Sequence, residues 1–280
     1  EDLVPKDADH LLFRAAPYFA LIPAALAFVA LPFGATYVFR DLDVALVFIL
    51  AMLGVEVVGV IMAGWASNNK WSILGAMREA AQMVSYEIPL GLCVLIAVML
   101  TGTLNLREMC LAQEGGALGC GNWLIWRIPP FGFVSFVIFY ISLLANTKRA
   151  PFDLPEAESE LVSGFHTEYS GIRFSFFFLE EYAAMFLVSG VAVCTYLGGW
   201  NVPYVSGELL TGSMGGQVLA ALVIFLKSFV LVFVMIWVRW TLPRIRIDQV
   251  MNLCYKYLTP MAFVCLIVAC LWETVIGESL

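Results

Sequence analysis

The chain has 280 residues, of which 61% are hydrophobic and only 13% are charged, and its formal net charge at pH 7 is −7. One soluble core of this size could not bury so much apolar surface, so the composition excludes an ordinary soluble domain and indicates a membrane protein. The negative charge also argues against nucleic-acid binding, because a phosphate-binding face needs clustered Lys and Arg side chains.

Seven stretches are long and apolar enough to cross a bilayer as helices, since a span needs about 20 mostly apolar residues. In chain order they are Leu11–Leu31, Leu42–Ala66, Ala76–Leu100, Ile128–Ala145, Phe174–Leu197, Gly216–Trp240 and Leu258–Ile276. The short alternating segments of a β-barrel are not seen. The sequence therefore predicts an all-α polytopic bundle of about seven spans. It would form one integral-membrane domain over residues 1–280, with long loops at 101–127 and 146–173.

Lys and Arg residues are distributed unequally between the two sides of the predicted bundle, which sets its orientation. Eleven would lie on one side and three on the other, with Lys227 inside a span. The eleven are Lys6, Arg14, Lys70, Arg78, Lys148, Arg149, Arg173, Arg239, Arg244, Arg246 and Lys256, and the three are Arg40, Arg107 and Arg127. The loop 146–173 is therefore predicted to face the bacterial cytoplasm or the mitochondrial matrix. The membrane would be the bacterial cytoplasmic membrane or the mitochondrial inner membrane.

The seven cysteines contain no C-x-x-C pair, so we predict neither a metal site nor an iron–sulfur site. Cys110 and Cys120 both fall in the 101–127 loop, on the side that would be oxidising in a bacterial host. A disulfide between them is a hypothesis that a mass shift after reduction and alkylation would test.

Two titratable residues lie near the centres of predicted spans. Glu56 stands between Gly54 and Gly59, small residues that let a neighbouring helix or water approach, and Lys227 is central in the sixth span. A charge at bilayer depth costs at least about 2.5–3.5 kcal/mol on insertion scales, so each group needs a partner, water or a neutral form. Two interpretations stay open, a buried Glu56–Lys227 pair that fixes packing and a path for protons.

The third predicted span carries a polar stripe. At about 100° per residue, Glu79, Gln82 and Tyr86 share one helix face, and Glu87 lies about 80° away. We expect this face to avoid lipid and Pro89 to bend the helix beside Glu87. Alternatively, the helix enters the membrane with its first charged residues still at the level of the lipid headgroups. This interpretation suits Glu79 better than Glu87.

Two adjacent acids, Glu180 and Glu181, follow Arg173 in the fifth predicted span. Seven residues separate Arg173 from Glu180, so both fall on one helix face and Glu180 is predicted to be a structural partner. Glu181 would then be free to titrate. Burial of a carboxylate favours its neutral form, so a series of Glu56, Glu87 and Glu181 resembles a proton relay.

The segment from Asp153 to Glu160 has the composition of a helix start, because Pro155 suits the first turn and acids there complement free N–H groups. An aromatic wall, an imidazole and an acceptor follow it. These residues are Phe165, His166, Glu168 and Tyr169. A solvated loop with an ordinary short helix would explain the acids alone, but it explains the aromatic and titratable residues less well.

Motifs across nearly the whole chain carry a family resemblance. They are the run Arg149–Ser170, Gly64–Lys70 with Ser85–Glu87, Gly198–Trp200, and Arg239–Gln249. Together they closely resemble the H subunit of proton-pumping NADH:quinone oxidoreductase, respiratory complex I, called subunit 1 in mitochondria. The resemblance implies a subunit that joins a redox arm to a membrane arm, lines a quinone-reduction chamber and couples quinone chemistry to proton translocation.

The resemblance also implies roles for individual residues. It matches Glu56, Glu87 and Glu181 to acids of a water-containing proton path and Lys227 to a lysine within a span, and the buried charges Glu79 and Glu180 are added to that path. Six loop residues match the chamber and its entrance, and the aromatic cluster adds His166 and Tyr169. The six are Arg149, Asp153, Glu156, Glu158, Glu160 and Glu168.

Quinone would be the substrate, and no cofactor is expected on this chain alone. Flavin and iron–sulfur clusters would lie in partner subunits, which the resemblance implies are peripheral quinone-site and iron–sulfur subunits, small membrane subunits and antiporter-like subunits. The family begins with a further span and a loop rich in Arg, Gly and Pro, ahead of the position of Glu1. We therefore expect part of the quinone entrance to lie outside this sequence.

Two alternative functions stay open. The first is a membrane anchor of a related hydrogenase or of a ferredoxin- or F420-linked oxidoreductase, which inhibition by quinone-site ligands would separate from the first choice. The second is a stand-alone secondary transporter, which would show inverted repeats and broken helices in matching halves. The sequence shows no such internal symmetry.

Overall fold

The computed structural model describes residues 3–115, 121–156, 158–203 and 214–276, and all regular secondary structure in these ranges is helical. The helices are α1 His10–Ala27, α2 Ala45–Ala66, α3 Lys70–Thr101, α4 Leu106–Ala112, α5 Leu124–Arg127, α6 Phe131–Asn146, α7 Glu158–Leu161, α8 Gly171–Tyr196, α9 Met214–Thr241, α10 Ile247–Asn252 and α11 Thr259–Ile276. Two 3₁₀ turns cover Phe28–Ala30 and Gly164–His166, and the π-helical turn Leu253–Leu258 joins α10 to α11.

Within the described ranges, six helical segments are long and apolar enough to cross a membrane. They are α1 with its 3₁₀ turn, α2, α3, α8, α9, and the continuous run from α10 through α11. The fourth predicted span is α6, a shorter apolar helix of 16 residues. The predicted all-α polytopic bundle is thus confirmed.

Two predicted boundaries are wrong because the helices continue beyond their apolar runs. Helix α3 begins at Lys70 rather than Ala76, where the Asn69 side chain accepts a hydrogen bond from the Trp71 N–H at 3.1 Å. The last span begins at Ile247 rather than Leu258. Polar first turns keep helical hydrogen bonds outside the hydrocarbon core, where an apolar-run criterion does not see them.

The short helix α6 brings a loop into the interior of the bundle. Its 16 residues span about 24 Å, less than the hydrocarbon thickness of about 30 Å. The helix ends at Asn146, and the next residues, Thr147, Lys148 and Arg149, are all buried. The loop 146–173, called the acidic loop from here on, therefore enters the bundle instead of lying only on its surface.

Close helix packing explains the glycine beside Glu56. A Cβ on Gly59 would lie 2.6 Å from the backbone nitrogen of Ala20, so α1 crosses α2 at this point. The expectation that Gly59 admits a neighbouring helix is confirmed.

Aromatic packing holds the acidic loop against the bundle. The rings of Phe13 and Tyr169 stack at 4.0 Å between centroids, and the Tyr169 hydroxyl donates to the Phe13 carbonyl at 3.1 Å. Phe165 and Phe177 complete the same buried apolar cluster. The loop helix differs from prediction, because α7 begins at Glu158 and Pro155 precedes it instead of occupying its first turn.

Candidate functional site

Four buried glutamates from three helices lie at similar depth. Counted from the acidic-loop end of each helix, Glu79 is nine residues along α3, Glu180 is nine along α8, and Glu56 is ten along α2. These separations correspond to roughly 14–15 Å of helix. Glu181 adjoins Glu180, and all four side chains are almost completely buried. We call Glu56, Glu79, Glu180 and Glu181 the acid row.

Lys148 is the cation shared by three members of the acid row. Its Nζ lies 3.1 Å from a carboxylate oxygen of Glu56, 3.3 Å from one of Glu180 and 4.0 Å from one of Glu79. Only 2% of the Lys148 side chain is exposed. The residue has φ +55°, a left-handed conformation that is uncommon outside glycine and turns the chain sharply after α6.

Arg149 pairs with the fourth acid. Its Nε lies 2.5 Å from Glu181, and its guanidinium stands 4.6 Å from the centroid of the Tyr182 ring. The predicted partnership of Arg173 with Glu180 is therefore wrong, because Glu180 contacts Lys148 while Arg173 lies over the Phe13 ring. Glu181, predicted to be free to titrate, is paired with Arg149, and its titration stays a prediction.

The acid row carries more acids than cations. Four buried carboxylates stand against two buried cations, Lys148 and Arg149, which leaves an excess of two negative charges if every group is ionised. An unpaired charge costs several kcal/mol in a low-dielectric interior. The arrangement therefore favours retention of protons on part of the row.

The predicted polar stripe on α3 is confirmed for its first three members, which are buried and face the end of α6. The Gln82 side chain donates to the Ala145 carbonyl at 2.7 Å, and the Tyr86 hydroxyl donates to Asn146 at 2.6 Å. Glu87 is different, because its offset around the helix leaves it exposed on this chain. The expectation that this face avoids lipid stays a prediction for Glu87.

A cavity of about 140 Å³ lies beside Glu87. It is formed between α2, α3 and the end of α6, and its lining includes Gly54, Tyr86, Glu87 and Asn146. Several water molecules fit in such a volume, since each occupies about 30 Å³ in the liquid. Glu87 therefore adjoins space in which water could reach the polar stripe.

Two titratable residues of the acidic loop meet beneath the acid row. His166 Nδ1 lies 3.8 Å from a carboxylate oxygen of Glu156. Burial, with Glu181 and Asp153 nearby, raises the pKa of Glu156 to about 8. Burial lowers the pKa of His166 to about 4, with Lys148 adding to the effect. Both groups therefore favour their neutral forms near pH 7.

The remaining loop residues predicted for the site have separate contacts. Arg78 donates to Glu160 at 2.6 Å, and this hydrogen bond lowers the pKa of the Glu160 carboxyl. The Asn69 amide donates to Glu168 at 2.7 Å. Asp153 is partly buried near Glu156, and the side chain of Glu158 lies outside the described residues.

Lys227 is placed apart from the acid row. Its ammonium donates to the backbone carbonyls of Leu197, Gly199 and Asn201 at 2.8, 2.9 and 2.7 Å. It also stands 4.3 Å from the centroid of the Trp123 ring. The predicted Glu56–Lys227 pair is therefore wrong, because position along two separate helices gives depth but not lateral neighbours.

Cys110 is a free, buried thiol whose Sγ lies 3.7 Å from the Cys194 carbonyl oxygen. Its predicted partner, Cys120, lies outside the described residues. In the part of the chain that the structure covers, no group of three or more His, Cys, Asp or Glu side chains could hold a metal ion.

Lys148 is the main residue of the candidate site that was not predicted from the sequence. The charge count assigned it to a loop on one side of the membrane, together with ten other cations. The available signal was the length of the preceding apolar run, which is too short to carry Lys148 clear of the hydrocarbon.

Comparison with known proteins gives a consistent result over almost the whole chain. A family model described as NADH dehydrogenase matches residues 1–270. The H subunit of the NADH-quinone oxidoreductase of Anaeromyxobacter dehalogenans is 47% identical over 99% of this chain and 69% of its own length. The H subunits of the same enzyme from Chlorobaculum parvum and Bacteroides thetaiotaomicron are 45% and 41% identical, over 97% and 96% of this chain and 76% and 74% of their own. The resemblance read from the motifs is confirmed.

Proposed function

Since the chain belongs to the NADH dehydrogenase family, we propose that it is a membrane subunit of a proton-translocating NADH–quinone oxidoreductase. In this proposal the acidic loop lines the quinone-reduction chamber, and the acid row passes the effect of quinone reduction into a proton path. The acidic loop would face the bacterial cytoplasm or the mitochondrial matrix. The peripheral quinone-site and iron–sulfur subunits would bind on that side, and small and antiporter-like membrane subunits would bind within the bilayer.

The observation that carries the proposal is the excess of buried carboxylates next to the loop. The acid row holds four carboxylates and two loop cations, and Glu156 lies close enough to Glu181 for the charge of one to raise the proton affinity of the other. A change of charge in the loop would therefore change the proton affinity of carboxylates in the acid row.

Quinone reduction supplies such a change. Two electrons from neighbouring subunits and two protons convert a quinone to a quinol, and negative charge appears near the loop before the protons arrive. Unit charges interact more strongly in a dry cavity than in water, so nearby carboxylates bind protons more tightly while that charge persists. Glu156 and the acid row would take up protons and release them once the quinol is neutral.

Glu87 and Lys227 take different places in this scheme. Glu87 borders the cavity of about 140 Å³ and would connect the polar stripe of α3 to a neighbouring membrane subunit. Lys227 contacts neutral carbonyls and is assigned a structural role.

The test is conservative replacement of two acids in the complete complex. Glu56→Gln and Glu181→Gln are each expected to lower proton pumping or quinone reduction at least about fivefold, because a glutamine cannot accept a proton. Membrane vesicles would be assayed for NADH-driven quinone reduction and for acidification with a pH-sensitive dye, with flavin and iron–sulfur content as the measure of assembly.

Glu108→Gln is the matched control. Its carboxylate lies in α4, where it accepts a hydrogen bond from Thr103 at an exposed position, so both rates should stay at the wild-type level. Wild-type pumping and wild-type quinone reduction in both acid-row variants would contradict the proposal.

A further inference from the structure

We infer that Lys148 sets how many protons the acid row holds, because its single ammonium keeps one of three surrounding carboxylates ionised. This inference rests on the proposed function and names the residue that regulates its proton path. Lys148 contributes no atom to quinone chemistry and acts through its neighbours, so it is a positioning residue.

Charge balance is the first argument. Glu181 is matched by Arg149, so Glu56, Glu79 and Glu180 share Lys148 as their buried cation among the described residues. Three ionised carboxylates around one ammonium would leave two uncompensated negative charges in the interior of the bundle. Since an uncompensated buried charge costs several kcal/mol, two of the three acids hold protons at rest.

Unpartnered oxygens give a second and independent argument. The Oε2 atoms of Glu56 and Glu79 are fully buried and have no hydrogen-bond partner in the part of the chain that the structure describes, while each residue directs its Oε1 toward Lys148. A buried carboxylate oxygen without a donor is costly, whereas a protonated oxygen can itself donate to a neighbouring acid or water. On Glu79, the carboxylate farthest from the ammonium of the three, the unpartnered Oε2 is a position at which a retained proton would lie.

The groups that face Lys148 come from every element around it. Glu56 comes from α2, Glu79 and Tyr86 from α3, Glu180 and Glu181 from α8, and Glu156 and His166 from the acidic loop. Among these, the carboxylates within 4.0 Å of Nζ are the three that share its charge. They are the groups whose proton occupancy depends most on the position of the ammonium, because the Coulomb interaction falls with distance.

The location of Lys148 connects this charge to the loop. The residue lies two positions after the end of α6, and its neighbour Arg149 contacts Glu181 and Tyr182. A shift of the acidic loop would therefore move both cations relative to acids fixed on helices. When the ammonium withdraws, the ionised carboxylate binds one proton that arrives from bulk solvent along the path and becomes a carboxylic acid, and it releases that proton to the path when the ammonium returns.

Infrared spectroscopy of the purified complex tests this count, because protonated carboxylic acids absorb separately from carboxylates. Lys148→Met is expected to add one protonated carboxyl group per complex relative to wild type. Glu180→Gln should remove one, and the double variant Lys148→Met with Glu180→Gln should return to the wild-type value. Lys148→Arg keeps the positive charge and should leave the number of protonated carboxyl groups at the wild-type value.

Lys227→Met is the matched control, since it removes another lysine from a span, but one that contacts carbonyls. It should leave the carboxylic acid band unchanged. An unchanged band in Lys148→Met, or a double variant that keeps the extra group, would overturn the inference.

If Lys148→Met fails to assemble, Glu180→Gln alone decides the matter, because an unchanged band in that variant also overturns the inference. The result is separable from the proposed function. The infrared count does not depend on pumping, and the Glu56→Gln and Glu181→Gln assays do not depend on Lys148.

Discussion

Lys148 and Lys227 both enter the membrane-spanning part of the chain, and the protein surrounds them with different oxygens. Lys148 has three carboxylates within 4.0 Å of its ammonium, whereas Lys227 donates to three backbone carbonyls within 2.9 Å. Carboxylates gain and lose protons, but carbonyls do not. The charge around Lys148 therefore depends on proton occupancy, while the charge around Lys227 is fixed.

The two ends of α8 explain this difference. At its C-terminal end, Gly198 and Gly199 have φ of +72° and +55°, and the chain turns so that carbonyls after the helix converge on Lys227. A cation there complements the negative end of the helix dipole. Near its other end, α8 supplies acids and the acidic loop supplies cations, so the two kinds of charge belong to parts of the chain that can move relative to each other.

The largest effect in this comparison is expected from Gly164→Ala at the acidic-loop end. Gly164 has φ +61°, and a Cβ there would overlap the carbonyl oxygen of Pro155. Left-handed strain and overpacking together cost roughly 2–5 kcal/mol. The acidic loop should lose its packed position against the bundle, and NADH-driven quinone reduction in membrane vesicles should fall at least about tenfold.

Gly215→Ala is the control for this substitution, because a Cβ at Gly215 meets no atom of the described residues within 4 Å. It should leave quinone reduction unchanged. Wild-type quinone reduction in Gly164→Ala would show that the packed loop is dispensable, and the contrast between the two ends of α8 would lose its functional meaning.

Much of the fold was predictable from the sequence, because hydrophobic length and helical periodicity are local properties. Span length located the bundle, and the spacing of Glu79, Gln82 and Tyr86 correctly placed them on one buried face of α3. Pairings between helices were not predictable in the same way. Depth along a span does not show which helix lies beside it, so a Glu56–Lys227 pair was one of two open interpretations, whereas the structure places Lys148 beside Glu56.

The site itself was predictable in composition but not in charge balance. The acids at Glu56, Glu180 and Glu181 stood out because carboxylates in apolar runs are costly. The contacts that Lys148 and Arg149 make with these acids were not predicted, because of the assumption that every loop cation lies in water. The early end of α6 removes that assumption, and only the folded arrangement shows how far the loop enters the bundle.

Lys227→Met is expected to have an intermediate effect, which sharpens the comparison between Lys227 and Lys148 by lowering the stability of the complex without changing its pumping. The substitution leaves the carbonyls of Leu197, Gly199 and Asn201 without their donor, at a cost of about 1–3 kcal/mol for each carbonyl that stays unsatisfied. The complex should unfold at lower temperature in a detergent thermal-shift assay, while the number of protons pumped per quinone reduced stays at the wild-type value.

Lys256→Met is the control, because Lys256 is exposed and should affect neither quantity. A Lys227→Met variant with wild-type thermal stability and lost pumping would return Lys227 to the proton path. The distinction between the two lysines would then fail.

The smallest effect concerns pH and Glu156. Because its pKa is raised to about 8 by burial, the folded loop binds a proton that the unfolded loop releases above its ordinary value of 4.5. The contribution of Glu156 to loop stability should therefore fall as pH rises from 4.5 to about 8. His166, with a pKa lowered to about 4 from an ordinary 6.5, has the opposite effect only below pH 6.5, so between pH 6.5 and 8 it no longer offsets Glu156.

Hydrogen exchange of the loop amides measures this dependence as a comparison between variants, which cancels the intrinsic effect of pH on exchange. Opening of the wild-type loop should increase by up to about tenfold per pH unit across that window, and Glu156→Gln should abolish the increase, since glutamine does not ionise. Glu160→Gln should behave like wild type, because Arg78 lowers the pKa of Glu160 and its carboxyl is already ionised above pH 6.5. An unchanged slope in Glu156→Gln would assign the proton to another group and remove Glu156 from the connection between loop and acid row.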